Sequence, residues 1–239
     1  MFTAAIALIL VLALIIFILY RRIMWPKSTV FGYYPWGIKT DKKIIALTFD
    51  DGPSDPYTKD LLNILAKNNV SATFFLVGKN VEKNPNLAKS IIDAGHIIGN
   101  HAYSHNLFKY LSSPSLKDEI TKTQEIIYQA TGKKPALFRS PWLIRHSGLF
   151  KVMKTNNLTP ISGLFGTEKE VWQVSAEIIY KDALKQIAPG VILIFHDGFT
   201  KNGDRSGTIK AMELLIPELK SQGYELVTID KLLNIPAYQ

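Results

Sequence analysis

Two adjacent carboxylates, Asp50 and Asp51, follow the apolar run Ile44-Ile45-Ala46-Leu47-Thr48-Phe49 and directly precede Gly52-Pro53. Such a run reads as a buried strand closed by a turn. In α/β folds the carboxyl ends of strands are where ligands bind and reactions occur. Consecutive strand residues point to opposite faces, so both carboxylates reach one site only if the chain turns between them. Capping of the following helix is the plainer use for a strand-end Asp. Ser54 and Asp55 are already placed for that, which leaves the pair for chemistry.

Three more groups have the same placement. In Gly99-Asn100-His101-Ala102-Tyr103-Ser104-His105, two imidazoles are spaced i, i+4 just after a predicted strand, as on one face of a helical turn. One carboxylate and two imidazoles make a three-ligand set for a borderline divalent ion, with a position left open for water or substrate. Phe138-Arg139-Ser140-Pro141-Trp142 puts an arginine after another strand, where it could hold a carboxylate by a bidentate contact and keep it ionised. His196 ends the run Val191-Ile192-Leu193-Ile194-Phe195 and could act as a general acid near neutrality. Asp197 should point away from that ring, His96 reads as a core residue and His146 as solvated.

The elements that must position these groups alternate from residue 44 onward. Helices are expected near 57–68, 85–94, 116–130, 149–155, 176–187 and 208–221. Strands are expected at 72–77, 96–99, 136–138, 191–195 and 224–227, with an extended piece at 158–161. Repeated βα units imply a parallel sheet with helical crossovers, and six or seven of them suggest a barrel.

The chain has 239 residues, enough for a sizeable core, and no cysteine. Disulfides, thiolate metal sites and a cysteine nucleophile are therefore excluded. The net charge of +8 is spread along the chain and suits a polyanionic wall or a membrane surface, and no nucleic-acid motif accompanies it. Residues 2–20 are uncharged and almost wholly apolar, about long enough to cross a bilayer, and Arg21-Arg22 ends them. Positive charge before the run and small residues after it, the marks of a cleaved signal, are both missing. An uncleaved anchor (1–22) is expected, then an aromatic-rich connector (23–43) and a catalytic domain (44–235). The aromatic residues of the connector could form an interfacial belt or pack on the domain.

Together these groups resemble the polysaccharide deacetylase family (NodB homology, carbohydrate esterase family 4). Thr48-Phe49-Asp50-Asp51-Gly52-Pro53 is similar to its first motif and His101-(three residues)-His105 to its second. Arg139-Ser140-Pro141-Trp142 is similar to the third and Ile194-Phe195-His196 to the last. The resemblance implies a distorted (β/α) barrel and hydrolytic removal of N-acetyl groups from GlcNAc-containing polymers such as peptidoglycan or chitin. It implies Asp50 as base, Asp51, His101 and His105 as ligands of a divalent metal (zinc, with cobalt, nickel or manganese as alternatives), Arg139 as brace of Asp50, and His196 as acid. The segment Pro141-Trp142 would lie at the substrate, with the Trp142 N–H at the oxyanion.

One motif departs from the family. An Asp beside a Trp should orient the acidic His, yet Val171 precedes Trp172, and Leu143 replaces a Gly. Glu168 or Glu170 is a candidate substitute. Without one, the His196 imidazolium should lose stabilisation and its pKa should fall. A weakly active carbohydrate-binding relative therefore stands as an alternative. Arg21, Arg22 and Lys27 after the apolar helix argue for a cytoplasmic domain, which would suit a deacylase or deformylase of a lipid-linked sugar. A wall polymer argues for the opposite side, and an extracytoplasmic, monomeric enzyme is the expectation.

Overall fold

Strand β1 (Ile44–Asp50) is the hub of the sheet, and its alternation divides the interior in two. Ile45, Leu47 and Phe49 face one way and pack with Phe74, Leu193 and Phe195 beneath a layer of helices. Ala46 faces the other way, among Phe75, Ile97, Leu137 and Ile192. Each such side chain withdrawn from water contributes about 1.5–3 kcal/mol before the opposing chain entropy. The computed structural model describes residues 2–111, 113–198 and 203–239.

Around β1 the chain order is α1 (Phe2–Ile23), α2 (Tyr57–Lys67), β2 (Thr73–Leu76), α3 (Gly78–Lys83), α4 (Pro85–Asp93) and β3 (Ile97–Asn100). Then come α5 (Ser113–Thr131), β4 (Leu137–Phe138), α6 (Ser147–Thr155), β5 (Thr159–Pro160), β6 (Leu164–Phe165) and α7 (Ala176–Leu184). β7 (Ile192–His196), α8 (Ser206–Ser221), β8 (Glu225–Val227) and α9 (Ile229–Leu233) complete it. Short 3-10 turns lie at Leu107–Leu111, Pro141–Leu143 and Glu168–Trp172. The strands pair in parallel in the order β5-β4-β3-β2-β1-β7-β6, with β8 against the start of β1. The expected distorted barrel is realised as a curled half-barrel, with the Ile229 and Leu232 side chains of α9 in its inner cluster.

The chain between α1 and β1 packs on the domain. Tyr34 is buried with Tyr110, Leu149 and Met153. The Ile192 N–H donates to the Trp36 carbonyl (3.1 Å) and the Ser162 N–H to that of Pro35 (2.8 Å). Arg145 is buried and collects the connector: its guanidinium donates to the carbonyls of Trp25, Pro26 (2.8 Å) and Ser28 (3.2 Å) and to Ser162 Oγ (2.7 Å). Its backbone N–H donates to the carbonyl of Ile23, the last residue of α1 (3.0 Å). Residues 5–19 of α1 are exposed throughout, and burial begins at Tyr20. This is the one helix among the described residues long and apolar enough to cross a membrane.

Several local expectations change. Residues 101–106 are not a helical turn; Ala102 (φ 58°) and His105 (φ 52°) adopt left-handed backbone that breaks one. Ser54 and Asp55 do not cap α2, whose N-cap is Pro56 without a side-chain bond. Instead the Ser54 N–H donates to Thr58 Oγ1 (2.8 Å). His146 is not solvated: it caps α6 by accepting from the Leu149 N–H (3.2 Å), and its Nε2 meets the Tyr110 carbonyl (2.7 Å). α3 and β6 carried too short a pattern to be anticipated.

Candidate active site

The carboxyl ends of β1, β3, β4 and β7 come together by register. Asp50 lies beside His196 across β1 and β7, and Asn100 lies beside Phe138 across β3 and β4. The residues that follow β3 and β4, His101 and Arg139, therefore lie on one rim with the Asp pair. Asp50, Asp51, His101, His105 and His196 line a single cleft of about 360 Å³ with Ser140, Trp142 and Glu170. Pro141 is buried and does not line it.

Asp50 continues the alternation of β1 through Ala46 and Thr48, which aims it at the inner face. Asp51 would then point outward, but its φ of 73° turns it back to the same cleft. For a non-glycine residue that conformation is costly and must be held by its surroundings. Asn80 Nδ2 donates to the Asp51 carbonyl (2.7 Å). Gly198 presses on that carbonyl so closely that a Cβ there would sit 2.2 Å from the oxygen.

Arg139 is fully buried and braces Asp50, with Nη1 2.7 Å from Asp50 Oδ1. The contact is not the expected bidentate fork. Nη1 also donates to Thr48 Oγ1 (2.7 Å), and Nη2 is used on the Ser162 carbonyl (3.0 Å). The guanidinium lies 4.1 Å over the Phe75 ring, a cation–π contact with both partners out of water. Asp50 Oδ2 is left facing His101 Nε2 at 4.0 Å.

Asp51, His101 and His105 offer ligand atoms that all lie within 4.8 Å of one another. Asp51 Oδ1 is 3.5 Å from His101 Nε2 and 3.3 Å from His105 Nε2. That oxygen is buried with no hydrogen-bond partner among the described residues, and a buried acceptor of this kind suits a cation or water as its partner. His101 Nδ1 is 2.7 Å from the Arg139 carbonyl, which cannot donate, so Nδ1 carries a proton and Nε2 is the ring nitrogen turned to Asp51. Burial pushes His105 down to about 4, which leaves it neutral at pH 7. Burial opposes ionisation of Asp51, but His105, His101 and His196 outweigh it and hold the carboxyl well below the usual range. Two imidazoles and one carboxylate fit zinc and its neighbours in the first transition row.

His196 stands across the cleft and has a carboxylate after all. Glu170 Oε2 is 2.8 Å from His196 Nδ1, while Oε1 accepts from the His196 N–H (3.0 Å) and from Thr208 Oγ1 (2.5 Å). Burial alone would lower the imidazole; Glu170 reverses this and the net shift is upward. The fall expected in the absence of a carboxylate therefore does not arise, because Glu170, one of the two candidate substitutes, is in place. Glu168 lines the cleft, and Glu170 is the carboxylate that meets the ring. Sequence reasoning missed Thr208 entirely, because it comes from α8 and bears no spacing to His196 that marks it. Asp197 points away from the ring, as expected, to Thr58 Oγ1 (2.5 Å), and burial raises its carboxyl to about 7.

A half-barrel whose strand ends gather an Asp pair, three histidines and a buried arginine at one cleft is the arrangement that the sequence motifs led us to expect. The family model described as polysaccharide deacetylase matches residues 37–161, and the chain belongs to that family. It is 35% identical over 204 residues to a peptidoglycan-N-acetylglucosamine deacetylase of Bacillus cereus, covering 85% of this chain and 94% of that one. A solved peptidoglycan N-acetylglucosamine deacetylase superposes with a TM-score of 0.80 at 32% identity, covering 86% of this chain and 95% of the other. A family 4 pseudoenzyme from Bacillus anthracis superposes at 0.76 with 30% identity, covering 84% and 69%.

Proposed function

We propose that this chain is a membrane-anchored, divalent-metal-dependent deacetylase of N-acetylglucosamine residues in a peptidoglycan-type glycan. The observation that carries the reading is the convergence, in one cleft, of the three-ligand cluster with Asp50 on one side and the His196–Glu170 pair on the other.

A divalent ion held by Asp51, His101 and His105 would polarise the acetamide carbonyl and acidify a water. Asp50 Oδ2 takes the proton of the attacking water, since Oδ1 is tied to Arg139. The contact with the fully buried guanidinium of Arg139 fixes the Asp50 carboxylate in position to act as base. His196 Nδ1 is engaged by Glu170, so Nε2 carries the proton that goes to the departing sugar nitrogen. Glu170 holds the imidazolium in position, and the Trp142 N–H is assigned to the developing oxyanion. The alternative of an impaired carbohydrate-binding relative was motivated by the missing fourth-motif Asp. The Glu170 carboxylate at 2.8 Å removes that motive.

The test is mass analysis of N-acetylated peptidoglycan fragments after incubation with the full chain, with and without added zinc. Metal-dependent loss of acetyl groups is expected. Unchanged substrate in both arms, from folded protein, would overturn the reading.

A further inference from the structure

The cleft has a wall that the chemistry does not require. Besides the rim residues it is lined by Tyr20 and Met24, from the last turn of α1 and the residue after it. The same helix makes no use of the domain further back, since residues 5–19 are all exposed. Its end is not a loose tether. The Ile23 carbonyl is bound by the Arg145 N–H, and the next residues are gripped by the Arg145 guanidinium. Ser28 Oγ adds a bond to the Arg22 carbonyl (2.8 Å).

The apolar span therefore leaves the domain at the mouth of the active site. A span of 19 residues rises about 28 Å, close to the hydrocarbon thickness of a bilayer. The membrane surface must then lie level with Tyr20 to Met24, and so with the cleft they line. Exposed apolar side chains follow the same rim. Val171 lines the cleft and is 57% exposed, and Trp172 beside it is 73% exposed. Large aromatic and apolar groups at this level suit the headgroup boundary. Tyr20 packs edge-on against Trp25 (6.4 Å), and Arg21 lies 4.1 Å over the Trp25 ring, a cluster of interfacial composition.

We infer that the substrate of this site is presented at the bilayer surface, as the N-acetylated amino-sugar head of a lipid-linked glycan rather than as a polymer distant from the membrane. This rests on the deacetylase reading and narrows it. A rigid anchor confines the cleft to the headgroup plane, where only membrane-borne glycan is concentrated. Confinement of enzyme and substrate to one surface raises their effective concentration without any new contact.

Two measurements on the full chain in vesicles test it. The first compares kcat/KM, with zinc present, for an N-acetylglucosaminyl disaccharide on a polyprenyl diphosphate in the same vesicles, the same disaccharide free in water, and isolated wall polymer. The lipid-linked form is expected to be favoured at least about tenfold over either. Equal rates, or preference for free sugar or polymer, overturn the inference and leave the deacetylase reading standing. No acetyl release from any of the three sinks both. The second measurement needs no turnover and uses the absence of native cysteine. Val171→Cys and Gln222→Cys each carry one fluorophore. Gln222 meets Lys43 at the opposite end of β1 (2.9 Å), so it marks the far pole. Brominated lipids should quench the label at position 171 several-fold more than at position 222. Equal quenching would mean that the cleft does not face the bilayer.

Discussion

At the scale of single residues, the cleft separates proton acceptor from proton donor by giving each carboxylate a different neighbour. Asp50 is fixed by a buried guanidinium, and Glu170 is fixed by an imidazole. Asp50→Asn keeps the shape and the contact with Arg139 but removes the base. Turnover should fall by about 10²–10⁴-fold with metal content unchanged, as measured by acetate release and metal analysis. His101→Ala or His105→Ala should instead abolish stoichiometric zinc while far-ultraviolet dichroism stays near native; retention of one equivalent by both would contradict the ligand set.

Glu170→Gln addresses the acid. The His196 pKa is raised by Glu170, and its protonated form is the active one, so activity is present below that pKa and lost as pH rises through it. Removal of the charge lowers the pKa, so the alkaline limb of kcat should move to lower pH, as a pH–rate profile would show. The grouping of Asp50, Asp51, His101, His105 and His196 was legible because each stands in a contiguous strand-and-turn motif. Glu170 was only half legible, since the position next to Trp172 holds Val171 and the carboxylate is one residue earlier on a 3-10 turn.

At the scale of elements, strand ends position chemistry and one buried arginine joins the connector to them. Strands β1, β2 and β7 were readable as continuous apolar runs because a parallel sheet is covered on both faces. The clasp at Arg145 was not readable, since its partners are backbone carbonyls more than a hundred residues away. Backbone acceptors leave no side-chain signature. Arg145→Met should strand those carbonyls and lower stability by about 3 kcal/mol, read as a drop in Tm, whereas the exposed Lys89→Met should change little. For the same reason, removal of residues 1–43 should destabilise the domain more than removal of residues 1–19. Urea unfolding of the two truncated proteins measures the difference.

At the scale of the whole molecule, the open question is the side of the membrane. The positive charge after α1 favours the cytoplasm, and a wall glycan favours the exterior. We expect the exterior, so protease added to intact spheroplasts should remove a C-terminal tag. Protection of the tag until lysis would place the domain inside, and the lipid-linked glycan it meets would then be a precursor on the inner face. Charge and hydropathy made the span legible. The docking of its last turn at the cleft was not, because the pattern of an anchor is the same whether its end is free or gripped.

The grip of Arg145 on residues 23–28 also has a consequence for the order of events during synthesis. The segment that is clasped leaves the ribosome early, and the clasp itself is made some 120 residues later. The hub strand waits longer still, because its partner β7 lies about 145 residues downstream. Such distant pairings close slowly. The nascent domain must therefore assemble around a strap made before the groove that receives it exists, and on the proposed anchored reading it does so at the membrane surface.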